Sequence, residues 1–108
     1  MAVNTEYLSY IEDQLSEFSS FETKKMFGGI GFFRDGLMFG MIDGSTFRLK
    51  VDENNQQDYA DKGMKPYQND KKKKGMPYWE VPAEVVEDKQ LLKTWANKAF
   101  AAAVLAKK

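Results

Sequence analysis

The sequence contains no cysteine and no histidine among its 108 residues. Without cysteine the chain can form no disulfide and no zinc–thiolate site, and it has no thiol nucleophile. Without histidine it lacks the commonest metal ligand and the side chain best suited to proton transfer near neutral pH. We therefore expect no cofactor, no metal site and no catalytic residues, and we predict that the protein is not an enzyme.

Long apolar runs are also missing. None approaches the roughly 20 residues of a membrane-spanning helix, and the first residues, MAVNTEYLSYIED, lack the basic and then apolar layout of a signal peptide. We expect a cytoplasmic protein without a membrane partner. The 43% hydrophobic content includes eight Phe, five Tyr and two Trp, and this length is typical of one globular domain, here 1–108, with a single core.

The formal net charge is zero, but the charges are unevenly distributed. Residues 1–60 carry ten acidic and five basic side chains, whereas residues 61–108 carry six acidic and eleven basic ones. Two interpretations are open: the acidic and basic segments neighbour each other in the fold, or a basic patch binds an anionic partner.

Three segments show helical patterns. Thr5–Phe18 has apolar residues at steps of three and four, and the segment after Asp88 has a similar stripe within an alanine-rich run. A shorter helix is predicted near Asn54–Lys62, ended by Gly63. The two stripes consist of Leu8, Ile11, Leu15 and Phe18, and of Leu92, Trp95 or Ala96, Ala99 and Ala103.

The stretch KKMFGGIGFFRDGLMFGMI, Lys24 to Ile42, holds five glycines and four phenylalanines. It does not fit a dinucleotide-binding loop, because that motif needs a strand before it and a helix that begins at its last glycine. Asp-Gly pairs between apolar runs instead predict tight hairpin turns. The predicted strands are Lys25–Phe33, Leu37–Ile42 and Thr46–Val51, followed by a second hairpin of Met64–Tyr67 and Met76–Val81 with Gln68–Gly75 as its loop.

These elements predict an α+β fold with two layers, in which an antiparallel sheet of about five strands has helices packed on one face, in the order α-β-β-β-α-β-β-α. Two-residue turns at Asp35–Gly36 and Asp43–Gly44 divide the strand residues between two faces. One face carries Gly29, Gly31, Phe33, Met38, Gly40, Ile42, Phe47, Leu49 and Val51, and its glycines form a trough for a helix. The other carries Ile30, Phe32, Leu37, Phe39 and Met41 beside Thr46, Arg48 and Lys50.

Both faces contain apolar side chains, whereas a half-solvated antiparallel sheet alternates more cleanly. The second face is therefore closed either by another part of the chain or by another subunit or partner.

Several segments of the sequence resemble the N-terminal domain of the TfoX/Sxy family. They are KMFGGIGFFRDGLMFGMI at Lys25–Ile42, FRLKVDENN at Phe47–Asn55, MPYWEVPAEVVED at Met76–Asp88 and the Trp-containing, alanine-rich terminal helix. The resemblance covers about residues 7–104 and implies an α+β domain with the element order given above. Full-length members are implied to be bacterial regulators that help to activate DNA-uptake competence genes with the cyclic-AMP receptor protein, and they have a second, C-terminal domain. We expect this sequence to be the first domain alone, and the family implies no catalytic residue.

The leading hypothesis is a non-enzymatic regulatory or protein-interaction domain with a protein partner or a second copy of itself. Its candidate interaction residues are Met26, Phe27, Gly28, Gly29, Phe32, Phe39, Tyr78 and Trp79. For each aromatic residue and for Met26, packing in the core is the alternative interpretation.

Two other functions stay open. In a nucleic-acid-binding accessory protein, basic side chains follow a phosphate backbone, and the candidates are Arg48, Lys71, Lys72, Lys73 and Lys74. In a small-ligand-binding protein or an enzyme of unknown type, Glu80 or Asp52 acts as a base and Lys50 or Arg48 as an anion clamp.

Overall fold

The computed structural model describes residues 5–18, 20–26, 29–64, 66–67 and 76–107. The helices are α1 (Thr5–Gln14), α2 (Gln56–Ala60), α3 (Ala83–Val86) and α4 (Lys89–Lys107), and a 3-10 turn, Leu15–Glu17, follows α1 directly. The strands are β1 (Glu22–Met26), β2 (Gly29–Arg34), β3 (Leu37–Asp43), β4 (Thr46–Lys50), β5 (Pro66–Tyr67) and β6 (Met76–Glu80).

The strands form a single antiparallel sheet in the order β1-β2-β3-β4-β6-β5. The α+β class is as predicted, and so is an antiparallel sheet whose strands lie between helices in the order along the chain. The described residues form six strands rather than about five, because the run predicted as one strand, Lys25–Phe33, belongs to two. β1 begins at Glu22 and pairs with β2, with Met26 opposite Gly29.

The turn between β2 and β3 is as predicted. Asp35 and Gly36 have φ of 52° and 79°, the positive values that both central residues of a type I′ turn need. The turn between β3 and β4 is displaced by one residue, because Asp43 still pairs across the two strands. Its central residues are Gly44 and Ser45, and Gly44, with φ of 65°, takes the first position, where a type II′ turn has glycine.

A β-bulge in β3 decides which side chains share a face. Phe32 lies opposite Gly40 and Phe33 lies opposite Met38, so Phe39 is an extra residue on β3. An extra residue interrupts the alternation of side chains along a strand, and the rings of Phe39 and Phe32 lie on one side with centroids 6.3 Å apart. The prediction that Gly40 shares a face with Phe33 and Met38 is therefore wrong.

The helices pack on one face of the sheet, here called the helix face, as predicted. Its buried strand residues with large apolar side chains are Ile30, Phe32, Phe39, Ile42, Phe47 and Leu49. They form one core cluster with Ile11 of α1, Leu15 of the 3-10 turn and Leu92 of α4, which are residues of the predicted apolar stripes. Tyr59 of α2 joins this layer, and its ring lies 4.5 Å from that of Trp95 in α4.

Only one of the predicted trough glycines, Gly40, lies on the helix face. A Cβ added there would meet the carbonyl oxygen of Arg48 at 3.0 Å and Cδ2 of Leu49 at 3.1 Å. Gly29 and Gly31 lie on the opposite face, because each alternates with a helix-face residue along β2. The close approach that needs glycine is therefore between neighbouring strands.

The start of α4 agrees with the prediction, whereas the ends of α1 and α2 differ from it. The carboxylate of Asp88 accepts hydrogen bonds from the backbone N–H groups of Gln90 and Leu91, each at 3.1 Å, and so caps α4. α2 is shorter than predicted at both ends, and Gly63, with φ of 73°, follows it. Within the residues described, no helix has the length and apolarity needed to cross a membrane.

Candidate interaction face

The face of the sheet turned away from the helices is here called the open face. The strand register and the alternation of side chains identify its residues. Its centre consists of Lys24, Phe33, Met38, Met41, Lys50 and Tyr78. The core cluster of the described residues includes none of these six, and none is among the partly buried side chains packed against that cluster.

The open face is partly exposed apolar surface. The side chains of Phe33, Met38 and Met41 are intermediate in exposure. Phe32 and Phe39, which the helices cover, are 0% exposed. The helices of the described core therefore leave one apolar face of the sheet uncovered.

Two lysines lie over aromatic rings on the open face. Nζ of Lys24 is 5.2 Å from the ring centroid of Phe33, and Nζ of Lys50 is 5.2 Å from that of Tyr78. The register explains the second contact, because Lys50 lies directly opposite Tyr78. Such contacts contribute about 0.5–1 kcal/mol at exposed sites, and they place positive charge beside both rings.

Tyr78 is the most buried of the central side chains, at 6% exposure. Its hydroxyl donates a hydrogen bond to the carbonyl oxygen of Met38 at 3.4 Å. Because β4 lies between β6 and β3, the ring extends across β4. Burial raises the pKa of Tyr78 above its usual value, so the hydroxyl stays protonated and continues to donate at neutral pH.

The charges of the open face are balanced. The basic residues at its described strand positions are Lys24, Arg48 and Lys50, and the acidic ones are Glu22, Asp43 and Glu80. Arg48 lies directly opposite Glu80. Three charges of each sign leave no net charge at the described strand positions, so these positions do not create the one-signed field that attracts a phosphate backbone.

Three predicted interaction residues lie on the helix face instead. Phe32 and Phe39 are fully buried in the core. Trp79 lies opposite Leu49, and its ring centroid is 6.1 Å from that of Tyr59. Because Phe32 and Phe39 have no exposed surface, their assignment to an interaction surface is corrected, and for Phe39 the physical reason is the bulge. Trp79 is partly buried against the core, and its role in an interaction stays a prediction.

The other predicted interaction residues are distributed differently. Tyr78 lies on the open face, and Met26 and Gly29 form the last pair between β1 and β2. Phe27 and Gly28 lie outside the described residues. Of the predicted nucleic-acid contacts, Arg48 lies on the open face, whereas Lys71, Lys72, Lys73 and Lys74 lie outside the described residues.

Asp52, one of the carboxylates considered as a base, shapes the turn after β4. Its Oδ1 accepts a hydrogen bond from the backbone N–H of Asn54 at 2.9 Å. Its own N–H donates to Oδ1 of Asn55 at 2.7 Å, and Asn55 also donates to the carbonyl of Lys50 at 3.1 Å. In the part of the chain that the structure describes, no three acidic side chains are grouped as ligands for a metal ion.

Lys24, Phe33 and Met38 were not among the predicted interaction residues. The prediction correctly placed Met41 on one face with Arg48 and Lys50, because β4 alternates clearly between apolar and polar residues. The strand before it is apolar at almost every position, so its pattern gave no signal of the extra residue.

Comparison with known families supports the resemblance described above. The model of the TfoX N-terminal domain matches residues 13–103 of the chain, a range that contains all of the described strands and therefore both faces of the sheet. A search of curated proteins gives no match. By the family match over most of its length, the chain belongs to the TfoX N-terminal domain family.

Proposed function

We propose that this domain is a non-enzymatic regulatory module that binds a protein partner through the open face of its sheet. The observation that carries the proposal is the partial exposure of Phe33, Met38 and Met41 on a face that the described core does not cover. Aromatic residues and methionine are enriched in protein–protein contacts, and the flexible methionine side chain adapts to the shape of a partner.

The charge balance of the open face favours a protein over a nucleic acid. A nucleic-acid surface needs an excess of basic side chains, whereas here Glu80 lies opposite Arg48 and each sign is represented three times. A partner with its own mixed charges matches such a face better.

The regulatory part of the proposal comes from the family. TfoX proteins are implied to control transcription of competence genes, so we place the domain in the bacterial cytoplasm as a regulator of gene expression. The absence of histidine and cysteine from the chain supports action by binding rather than by catalysis.

Site-specific cross-linking in living cells tests the proposal. A photoreactive amino acid replaces Phe33 on the open face in one variant and Leu105 of α4 in a matched control, since Leu105 is also an exposed apolar residue, at 51% exposure. We expect a discrete cross-linked protein species with the Phe33 variant only. Equal products from both positions, or none from Phe33, would contradict an interaction site on the open face.

A further inference from the structure

The open face has two rows of side chains that run across the strands. The first row is Glu22, Phe33, Met38, Lys50 and Tyr78, and the second is Lys24, Gly31, Met41, Arg48 and Glu80. The methionines lie on β3, the middle of the five strands from β1 to β6 in the sheet. The second row begins with a positive charge on β1 and ends with a negative charge on β6.

From this layout, and resting on the function proposed above, we infer that the protein partner is a second copy of this chain, packed open face to open face about a two-fold axis parallel to β3. Facing sheets pack about 10 Å apart with nearly aligned strands. This axis exchanges β1 with β6 and β2 with β4, and it brings β3 against β3. Each row therefore faces its own reversed copy, and the interface is isologous.

The charges at the two ends of the second row become complementary in this arrangement. Lys24 of each copy faces Glu80 of the other, which gives two ion pairs per dimer. Within one chain these residues are on β1 and β6, four strand spacings or about 19 Å apart, so they cannot pair with each other. The opposite charges at the two ends of the second row are thus explained by a partner that carries the same row in reverse.

The uncharged positions also match. Met38 and Met41 face their own copies at the axis, which forms an apolar centre. Phe33 faces Lys50, so the Phe33 ring of each copy gains a second cation on its exposed side, and Tyr78 faces Glu22. Gly31, which has no side chain, faces the long side chain of Arg48.

Other symmetric arrangements bring more like charges together than the axis parallel to β3, which brings only the two Asp43 carboxylates near each other. A two-fold axis perpendicular to the strands exchanges the two rows, so two attractive Glu22–Lys24 pairs are offset by two repulsive Lys50–Arg48 pairs. Pairing of two β1 edge strands centred on Lys24 places Lys24 against its own copy, and lysines on edge strands are a common means of preventing such pairing. The axis parallel to β3 is therefore the arrangement that the charges favour.

A charge-exchange experiment tests the inference. Sedimentation equilibrium of the full chain at low salt measures the dimer dissociation constant for wild type, Lys24→Glu, Glu80→Lys and the double variant. We expect each single variant to weaken the dimer about tenfold, because two attractive pairs become repulsive, and the double variant to recover wild-type affinity to within about threefold. Lys107→Glu in α4 is the matched control for the same charge change, and it should leave the constant unchanged.

The double variant is the decisive measurement. Because Lys24 and Glu80 are too far apart to interact within one chain, recovery of the dimer affinity can arise only from contact between two copies. A monomeric wild type, or a double variant as weak as the single variants, overturns the inference. If Glu80→Lys does not fold, as judged by its unfolding transition, a second variant decides. Met41→Cys places the only cysteine of the chain at the axis, and a short bis-maleimide should link two copies there but not at a Leu105→Cys control. Failure to link at the axis overturns the inference.

Failure of this inference can be distinguished from failure of the proposed function. If the purified chain is monomeric but the photoreactive variant at Phe33 captures a different protein in cells, the open face binds another partner and only the self-association is wrong. If the photoreactive variant captures neither a second copy of the chain nor a different protein, both the self-association and the proposed function are wrong.

Asp43 adds a test of the axis. It lies on the open face at the end of β3, so the parallel axis brings the two Asp43 carboxylates near each other. Asp43→Asn should therefore tighten the dimer by about two- to fivefold. The perpendicular axis separates these residues, and an unchanged dissociation constant for this variant would exclude the parallel axis.

Discussion

The two faces of the sheet are made by the same strands but have different chemistry. On β4, Phe47 and Leu49 point to the helix face and are 1% and 0% exposed, whereas Thr46, Arg48 and Lys50 point to the open face and are partly exposed. The helix face has the composition of a core, and the open face mixes methionine and aromatic rings with balanced charges. The difference indicates that burial on the helix face stabilises the domain, whereas Phe33, Met38 and Met41 on the open face keep part of their apolar surface in contact with solvent.

The largest expected effect comes from truncating an aromatic ring on each face. Phe39→Ala removes a fully buried ring that contacts Phe18, with centroids 5.0 Å apart, and should lower the free energy of unfolding by about 3–5 kcal/mol. Phe33→Ala removes a partly exposed ring on the open face and should cost less than about 1.5 kcal/mol. Urea denaturation of both variants measures the difference.

Both variants should be measured at a protein concentration at which the chain is monomeric, because self-association would add apparent stability to the wild type. Equal losses for the two variants would show that the open face is as well packed as the helix face, which would remove the basis of the proposed interaction site.

The second effect tests the backbone geometry on the helix face. Gly40→Ala places a methyl group 3.0 Å from the carbonyl oxygen of Arg48, and a backbone atom in a paired strand cannot easily move away. We expect a loss of about 1–3 kcal/mol, measured by the same denaturation. An unchanged stability would mean that β3 and β4 can separate by a few tenths of an ångström without cost.

The sequence predicts those parts of the fold in which a residue type has a specific physical requirement. Asp35 and Gly36 were correctly predicted to form a turn, because few other residues accept positive φ at both positions. The faces of β4 were also predictable, because apolar and polar residues alternate along it.

The bulge could not be predicted in the same way. Leu37–Ile42 is apolar on both sides of the strand, so a shift by one residue leaves the pattern almost unchanged. The residues of the candidate site depend on the bulge, which shifts the alternation of β3 by one residue at Phe39. The extra residue places Phe39 in the core and leaves Met38 beside Phe33 on the open face, which is why the sequence assigned Phe32 and Phe39, rather than Phe33 and Met38, to one face with Met41.

The third prediction compares a tyrosine of the core with one of the open face. The hydroxyl of Tyr59 is buried, and it has no hydrogen-bond partner among the described residues, whereas that of Tyr78 donates to Met38. Tyr59→Phe should therefore raise the free energy of unfolding by about 1–2 kcal/mol, and Tyr78→Phe should lower it by up to about 1 kcal/mol. A loss of stability in Tyr59→Phe would show that its hydroxyl is satisfied in solution.

Tyr59 and Tyr78 should also make the free energy of unfolding depend on pH. Burial, and secondarily the charge of Asp58, raise the pKa of Tyr59 above its usual value, and burial raises the pKa of Tyr78. A raised pKa in the folded state means that stability is fully present below the unfolded value of about 10 and falls as the pH rises above it. The free energy of unfolding should therefore decline above about pH 10, by up to about 1.4 kcal/mol per pH unit for each buried tyrosine. The decline should be less steep in Tyr59→Phe.

The smallest effect compares two cations that lie over rings. Cζ of Arg34 is 3.8 Å from the ring centroid of Phe18, which is buried, and Nε donates to the carbonyl of Ser20 at 3.2 Å. On the open face, Nζ of Lys24 is 5.2 Å from the partly exposed ring of Phe33. Arg34→Gln should cost about 1–2 kcal/mol and Lys24→Gln about 0.5 kcal/mol, since a cation contributes more over a ring that water does not reach. If denaturation of the monomer gave equal losses, the rings of the two faces would be equally hydrated, and the distinction between a closed and an open face would not hold at this edge of the sheet.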